Sequence, residues 1–186
     1  MFILRYEMKK ILYILIIILP SLLVSSEIMD KTESTIKEFL PNHISISHKI
    51  HKISKESKKS QNVVKQKFFR NELNVWKIQM SDSTYNYAIL DNVKGKSMPI
   101  TFLTIFNSNK QLTNTSIIKY REAYGGEVGS KSWLKQFINY SDTSKYKIGN
   151  GISGISGATI SVHSVSKGIH KLSLIIGDII KGFDEE

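Results

Sequence analysis

The chain has 186 residues, 41% hydrophobic and 23% charged, which suits one globular core plus a short extension. Cysteine is absent, which excludes disulfides, thiolate metal sites, iron–sulfur clusters and a cysteine nucleophile. The formal net charge of +10 suits nucleic acid, an anionic membrane surface or acidic partners, but Arg5, Arg70 and Arg121 are its only arginines. So lysine-dominated a composition argues against specific reading of DNA bases.

At the N-terminus Lys9 and Lys10 precede a charge-free run from Ile11 to Val24, interrupted by Pro20 and followed by Ser25 and Ser26. The run is shorter than the roughly 20 residues of a spanning helix. A basic start, a short apolar stretch and small residues read as a secretory signal over residues 1–26, with an uncleaved membrane anchor as the alternative. Either places the rest of the chain outside the cytoplasm.

Asp30 is the expected cap of a helix from Lys31 to Leu40, ended by Pro41. Ile44 and Ile46 alternate with serines, a short strand signal. From Ile50 to Phe69 sparse apolar anchors among lysines predict a surface helix, whose charge is a solvated face or a basic docking surface. Alternation predicts strands over Val75–Met80 and Tyr85–Leu90, and Asp91 to Lys96 reads as a turn. Ile100 to Phe106 is a β-branched and aromatic run, the pattern of a buried strand. Asn107–Lys110 reads as a hairpin turn into a strand through Ile117, Ile118 and Tyr120. Tyr124-Gly125-Gly126-Glu127 breaks the chain, and Ser130 is placed to cap a short helix carrying Trp133, Leu134 and Phe137. Residues 139–153 read as a long polar loop.

The loop delivers the chain to Ser153-Gly154-Ile155-Ser156-Gly157-Ala158-Thr159-Ile160-Ser161. Val162, Val165, Ile169, Leu172, Ile176, Ile179 and Phe183 then fall at steps of three and four, the apolar stripe of a helix over 160–182. A glycine-containing turn that runs into a helix leaves N–H groups and a positive dipole end, which suit an anion, most often a phosphate. The same serines and threonine equally fit a plain helix cap. His163 and His170 lie two turns apart on that helix, too far to share one metal ion, and read as solvated. This pattern, taken together with the family resemblance that follows, predicts an α+β fold, an antiparallel, curved sheet packed against helices in a single domain.

The Ser-Gly-Ala-Thr-x-Ser run at Ser156–Ser161 resembles the flavinylation motif of the FMN-binding domain family. That family includes covalently flavinylated components of the Na+-translocating NADH:quinone reductase and of the related electron transport complex. Tyr87–Asp91, Gly95-Lys96, Pro99–Phe102, Tyr120–Glu127 and Trp133–Phe137 look like small exported members, in the same order. The resemblance implies FMN attached through a phosphoester to Thr159, installed from FAD by an FAD:protein FMN transferase. Ser156, Gly157, Ala158 and Ser161 are then the recognition positions around it. Tyr124 and Trp133 are candidate shelves for the flavin ring, with Gly125, Gly126 and Glu127 beside them. It further implies a carrier of one or two electrons, periplasmic or membrane-anchored, that works with membrane redox proteins. On this reading residues 27–80 are a basic N-terminal region with the first strands and 81–186 the FMN-binding core, within one unit spanning 27–186. The family often has Asp six residues before the threonine; here that position is Ser153. Two other classes compete: an exported binding protein that keeps the fold without flavin, and a basic protein that binds nucleic acid or acidic polymers through residues 49–77.

Overall fold

A computed structural model describes residues 26–185, so the expected signal or anchor over residues 1–26 lies almost wholly outside the described residues. Five strands form one open antiparallel meander in the order β1-β2-β3-β4-β5. They are β1 (His43–Lys52), β2 (Glu72–Met80), β3 (Tyr85–Lys94), β4 (Pro99–Asn107) and β5 (Leu112–Lys119). Register irregularities interrupt β1 against β2 and β4 against β5, and such bulges bend the strands they sit in.

The sheet is buried on both faces, which explains the unbroken apolar run in β4. Side chains alternate across a strand, so Val75, Ile89 and Phe102 face one helix while Trp76, Leu90 and Leu103 face the other. The first layer is α4 (Thr159–Asp184). Of its predicted stripe, Val162, Val165, Ile169, Leu172, Ile176 and Ile179 are buried and Phe183 is half-buried. Each fully buried side chain of this kind is worth about 1.5–3 kcal/mol. Gly168 brings the helix so close to the sheet that a Cβ there would lie 2.6 Å from Val93 Cγ1. The second layer is α1 (residues 26–39), whose Ile36 is fully buried against Trp76 and its neighbours.

Several local expectations are corrected. Asp30 lies inside α1 and accepts a bond from Ser26 Oγ at 3.1 Å, so it is not a cap. The helix expected over 50–69 is absent. Residues 50–52 end β1, paired with Glu72–Asn74, and only a 3-10 turn (Ser57–Lys59) and α2 (Ser60–Val64) are helical. Any basic face drawn across 49–77 is therefore split between two strands and a loop. The turn expected at 91–96 is strand as far as Lys94, because β3 stays in register with β4 to the pair Lys94–Pro99. The loop over 139–153 contains a small parallel pair, β6 (Lys147–Ile148) and β7 (Gly151–Ile152). His170 is half-buried and stacks on Tyr146, ring centroids 4.2 Å apart, rather than standing in solvent. Ser130 does cap α3 (Lys131–Leu134), accepting from Trp133 N at 3.3 Å.

One ion pair sits in the core. Asp91 on β3 and Lys171 on α4 are 3% and 0% exposed and lie 3.2 Å apart. The Lys171 ammonium also donates to Lys67 O at 3.2 Å and lies over the Phe68 ring. Burial raises the Asp91 pKa, and the neighbouring Lys171 charge opposes that rise.

Candidate functional site

The start of α4 has no side-chain cap. Gly157 takes a left-handed φ of +77°, which puts Ala158, with no oxygen to offer, at the capping position. The plain-cap reading of Ser156 and Thr159 is thereby corrected: neither hydroxyl closes the helix. A helix leaves its first N–H groups without intrahelical partners, and here those of the opening turn remain turned toward an open end. Thr159 is exposed beside them and Ser156 is exposed one turn earlier, while Ser161 is buried.

Ser161 is held by Tyr120 at the end of β5. The Tyr120 hydroxyl lies 2.6 Å from Tyr124 O and 3.0 Å from Ser161 Oγ. A carbonyl only accepts, so Tyr120 donates to Tyr124, and Ser161 supplies the proton of the second bond. One phenol thus ties the 124–126 loop to the helix start. Gly125, at φ +82°, completes the closure. A Cβ there would fall 2.9 Å from the Tyr120 hydroxyl and 3.1 Å from Ala158 Cβ. The small residues on both sides therefore exist because two backbones meet.

The facing wall is a turn clamped by Glu122. Its Oε1 accepts from Ser97 N at 2.7 Å and Met98 N at 3.0 Å. Those two N–H groups hold the carboxyl below its ordinary pKa. A Cβ on Gly95 would lie 2.4 Å from the same oxygen, so glycine is required there.

Between these walls opens a cleft of about 540 Å³, lined by Lys96, Ser97, Glu122 and Tyr124 on one side and Gly157 to Ser161 on the other. Ligand pockets run from about 300 to about 1,000 Å³, so a nucleotide-sized molecule fits. The Tyr124 ring is 86% exposed and projects at the mouth. Gly157 has open space where a Cβ would stand. An anion finds helix N–H groups and the Lys96 ammonium here, and the Thr159 hydroxyl is in reach of an incoming reagent. The donor set and the open cradle fit a phosphate ester carrying a flat aromatic ring.

The other residues singled out from sequence lie elsewhere. Trp133 is 5% exposed, and its indole N–H donates to Ser153 O at 2.8 Å. With Glu127, Ser153 and Ile155 it lines a second, shallower groove on the far side of the 155–158 turn. Ser153 is further fixed by its N–H to Gln136 Oε1 at 2.7 Å. Gly126 opens the 3-10 turn Gly126–Gly129 and lines neither cavity. Sequence reasoning placed Tyr120 in a strand, Lys96 in a turn and all three of Tyr120, Lys96 and Glu122 in resembling segments, but gave them no role at the site. Their signal was weak, since a carboxylate that binds a turn more than twenty residues away leaves no local pattern.

The profile of the FMN-binding domain matches residues 95–173 of the chain. That span runs from the Gly95 turn to the middle of α4 and so contains both walls of the cleft. No curated protein matches the chain.

Proposed function

Starting from an FMN-binding domain at residues 95–173, we propose that the chain carries FMN covalently on Thr159 and serves as an electron carrier outside the cytoplasm. One observation carries this reading: Thr159 stands exposed at the uncapped start of a 26-residue helix, facing a cleft of nucleotide size.

The chain's own residues divide the work. Thr159 would hold FMN through an ester at its hydroxyl oxygen, the FMN phosphoryl group coming from FAD under an FAD:protein FMN transferase with AMP and the threonine proton released. The first-turn N–H groups and Lys96 share the phosphate charge. The absent side chain at Gly157 leaves the hydroxyl accessible to the transferase. Tyr124 offers its exposed ring as a shelf, and the Tyr120–Ser161 contact holds that shelf against the helix. Bound FMN supplies one- and two-electron chemistry, while the protein sets position and surroundings. Membrane redox proteins are the proposed donor and acceptor.

The test is production with a transferase from the same organism, followed by in-gel flavin fluorescence and intact mass. Wild type should fluoresce and gain the mass of one FMN phosphoryl adduct; Thr159→Val should do neither. A wild-type chain as bare as the variant sinks the proposal.

A further inference from the structure

We propose that Trp133 and Gln136 are positioning residues for flavin attachment: they grip residue 153 by its main chain and so hold the 153–159 segment in the form that the transferase takes. The inference rests on the proposed attachment at Thr159 and adds which residues outside the motif serve it.

The segment has little to hold itself. Between Ile152, the end of β7, and Thr159, the start of α4, it belongs to no strand or helix. Gly154 has no Cβ and Gly157 is left-handed, so the backbone is least restrained at these two points. Ser153, Gly154, Ser156 and Gly157 are exposed, and Ile155 between them packs on the core. A hydrogen bond from Ala158 N to Ile155 O, at 3.1 Å, closes only the last turn. Gly157 to Ser161 line the cleft while Ser153 and Ile155 line the shallower groove, so the segment is a thin wall between two hollows. Such a wall needs support from elsewhere in the chain.

That support comes from α3 and the 3-10 turn that follows it (Lys135–Phe137). Trp133 and Gln136 are three apart in consecutive helical turns, so their side chains share a face and reach one residue together. The Trp133 indole N–H donates to Ser153 O at 2.8 Å, and Gln136 Oε1 accepts from Ser153 N at 2.7 Å. Residue 153 is thereby satisfied at both main-chain groups, as in the interior of a sheet. The grip is itself braced. Gln136 Nε2 donates to Trp133 O at 2.9 Å, Ser130 caps the turn that carries Trp133, and the indole meets the Phe137 ring edge-on, centroids 5.2 Å apart.

Both bonds to residue 153 use main-chain atoms, so the grip holds whichever residue stands there and leaves its side chain exposed to be read. At the other end Ala158 is buried against Gly125. Pinned at 153 and 158, the segment meets the transferase already ordered. A loosened segment must be ordered on binding, which lowers apparent affinity by the fraction of chains in the right form. The effect therefore falls on KM for the protein substrate rather than on kcat.

The test uses the full, flavin-free chain with FAD and a transferase from the same organism, reading flavin incorporation against chain concentration. Gln136→Met keeps the side chain's length without an acceptor and should raise KM about three- to tenfold, the size of one lost hydrogen bond, with kcat kept. Trp133→Phe removes the indole N–H and should do the same. Gln136→Glu keeps an oxygen for the Ser153 N–H and should restore the wild-type KM. Without transferase, exchange of the Ser153 amide proton should quicken in Gln136→Met while the amides of β3 and β4 keep their rates. Unchanged KM in both Gln136→Met and Trp133→Phe, a loss confined to kcat, or exchange that quickens alike throughout the domain overturns the positioning role and leaves attachment at Thr159 standing. A wild-type chain that takes up no flavin overturns the attachment and this inference with it.

Discussion

Gly168→Ala and Gly177→Ala place the same methyl group on the same helix with opposite expected signs. Each removes a glycine from the interior of α4, which favours the helix by about 1 kcal/mol. At Gly168 the new Cβ would lie 2.6 Å from Val93 Cγ1 and 2.8 Å from Phe102 Cζ. Both neighbours are locked in the core, 1% and 0% exposed, so neither can swing aside and the helix must lift. Overpacking of this kind costs about 1–3 kcal/mol and occasionally more; with both neighbours fixed the upper end applies, and subtracting the helix gain leaves a net loss of about 2 kcal/mol. At Gly177 the nearest atom is Lys110 Nζ at 3.3 Å, the free-swinging end of a long side chain, so the helix gain survives. Urea unfolding followed through Trp76 and Trp133 should give a lower midpoint than wild type for Gly168→Ala and a higher one for Gly177→Ala. A Gly168→Ala midpoint equal to or above wild type would refute the claim that α4 is held at closest approach there. The consequence reaches function, because Val93 leads through Lys94 into the Gly95 turn that forms one wall of the cleft.

The remaining expectations concern charge and recognition. Lys171→Met leaves Asp91 buried without its cation and should cost about 3–5 kcal/mol, whereas Asp91→Leu with Lys171→Met should recover most of that loss in urea unfolding. Ser153→Asp restores the acid that the resembling family often has six residues before its threonine, and should raise the fraction of chain bearing flavin when the transferase is present; unchanged loading by intact mass would mean the enzyme does not read that position. Burial lowers the pKa values of His51 and His170 from 6.5, so below pH 6.5 the unfolded chain takes up their protons first. Their contribution is complete well above pH 6.5 and is lost as the pH falls through that value toward the lowered ones, so on acidification below about pH 6.5 stability should drop more in wild type than in His51→Gln/His170→Gln. Equal slopes for the two proteins would exclude both histidines as the cause.

The parts of the fold that repeat locally were legible. The α4 stripe and the strands from Val75 to Ile118 announce themselves by period, and the unbroken apolar run in β4 correctly implied a buried strand. What escaped depends on partners distant in sequence. The stretch from Ile50 looked helical because its apolar residues are sparse, yet Ile50 is strand because Asn74 pairs with it. Asn92 and Val93 fall in a stretch with turn chemistry but stay in β3 because Thr101 and Ile100 face them. Trp133 was grouped with Thr159 by motif order, and the fold separates them by sending the 155–158 turn between their cavities.

The Ser-Gly-Ala-Thr run shows why a motif can be found by eye and still be misread. Its residues are small for different physical reasons. Gly157 is glycine because the chain turns left-handed at φ +77°. Ala158 is small because Gly125 packs on it, and it buries its methyl at 3% exposure. Thr159 is left exposed as a result, since the left-handed turn has moved the capping position to a residue without an oxygen. Had Ser156 or Thr159 capped α4, the hydroxyl would be spent on a backbone N–H and the dipole end would be closed. The missing cap is therefore the feature that leaves Thr159 free for the proposed attachment, and returning a capping side chain to position 158 would oppose that proposed role.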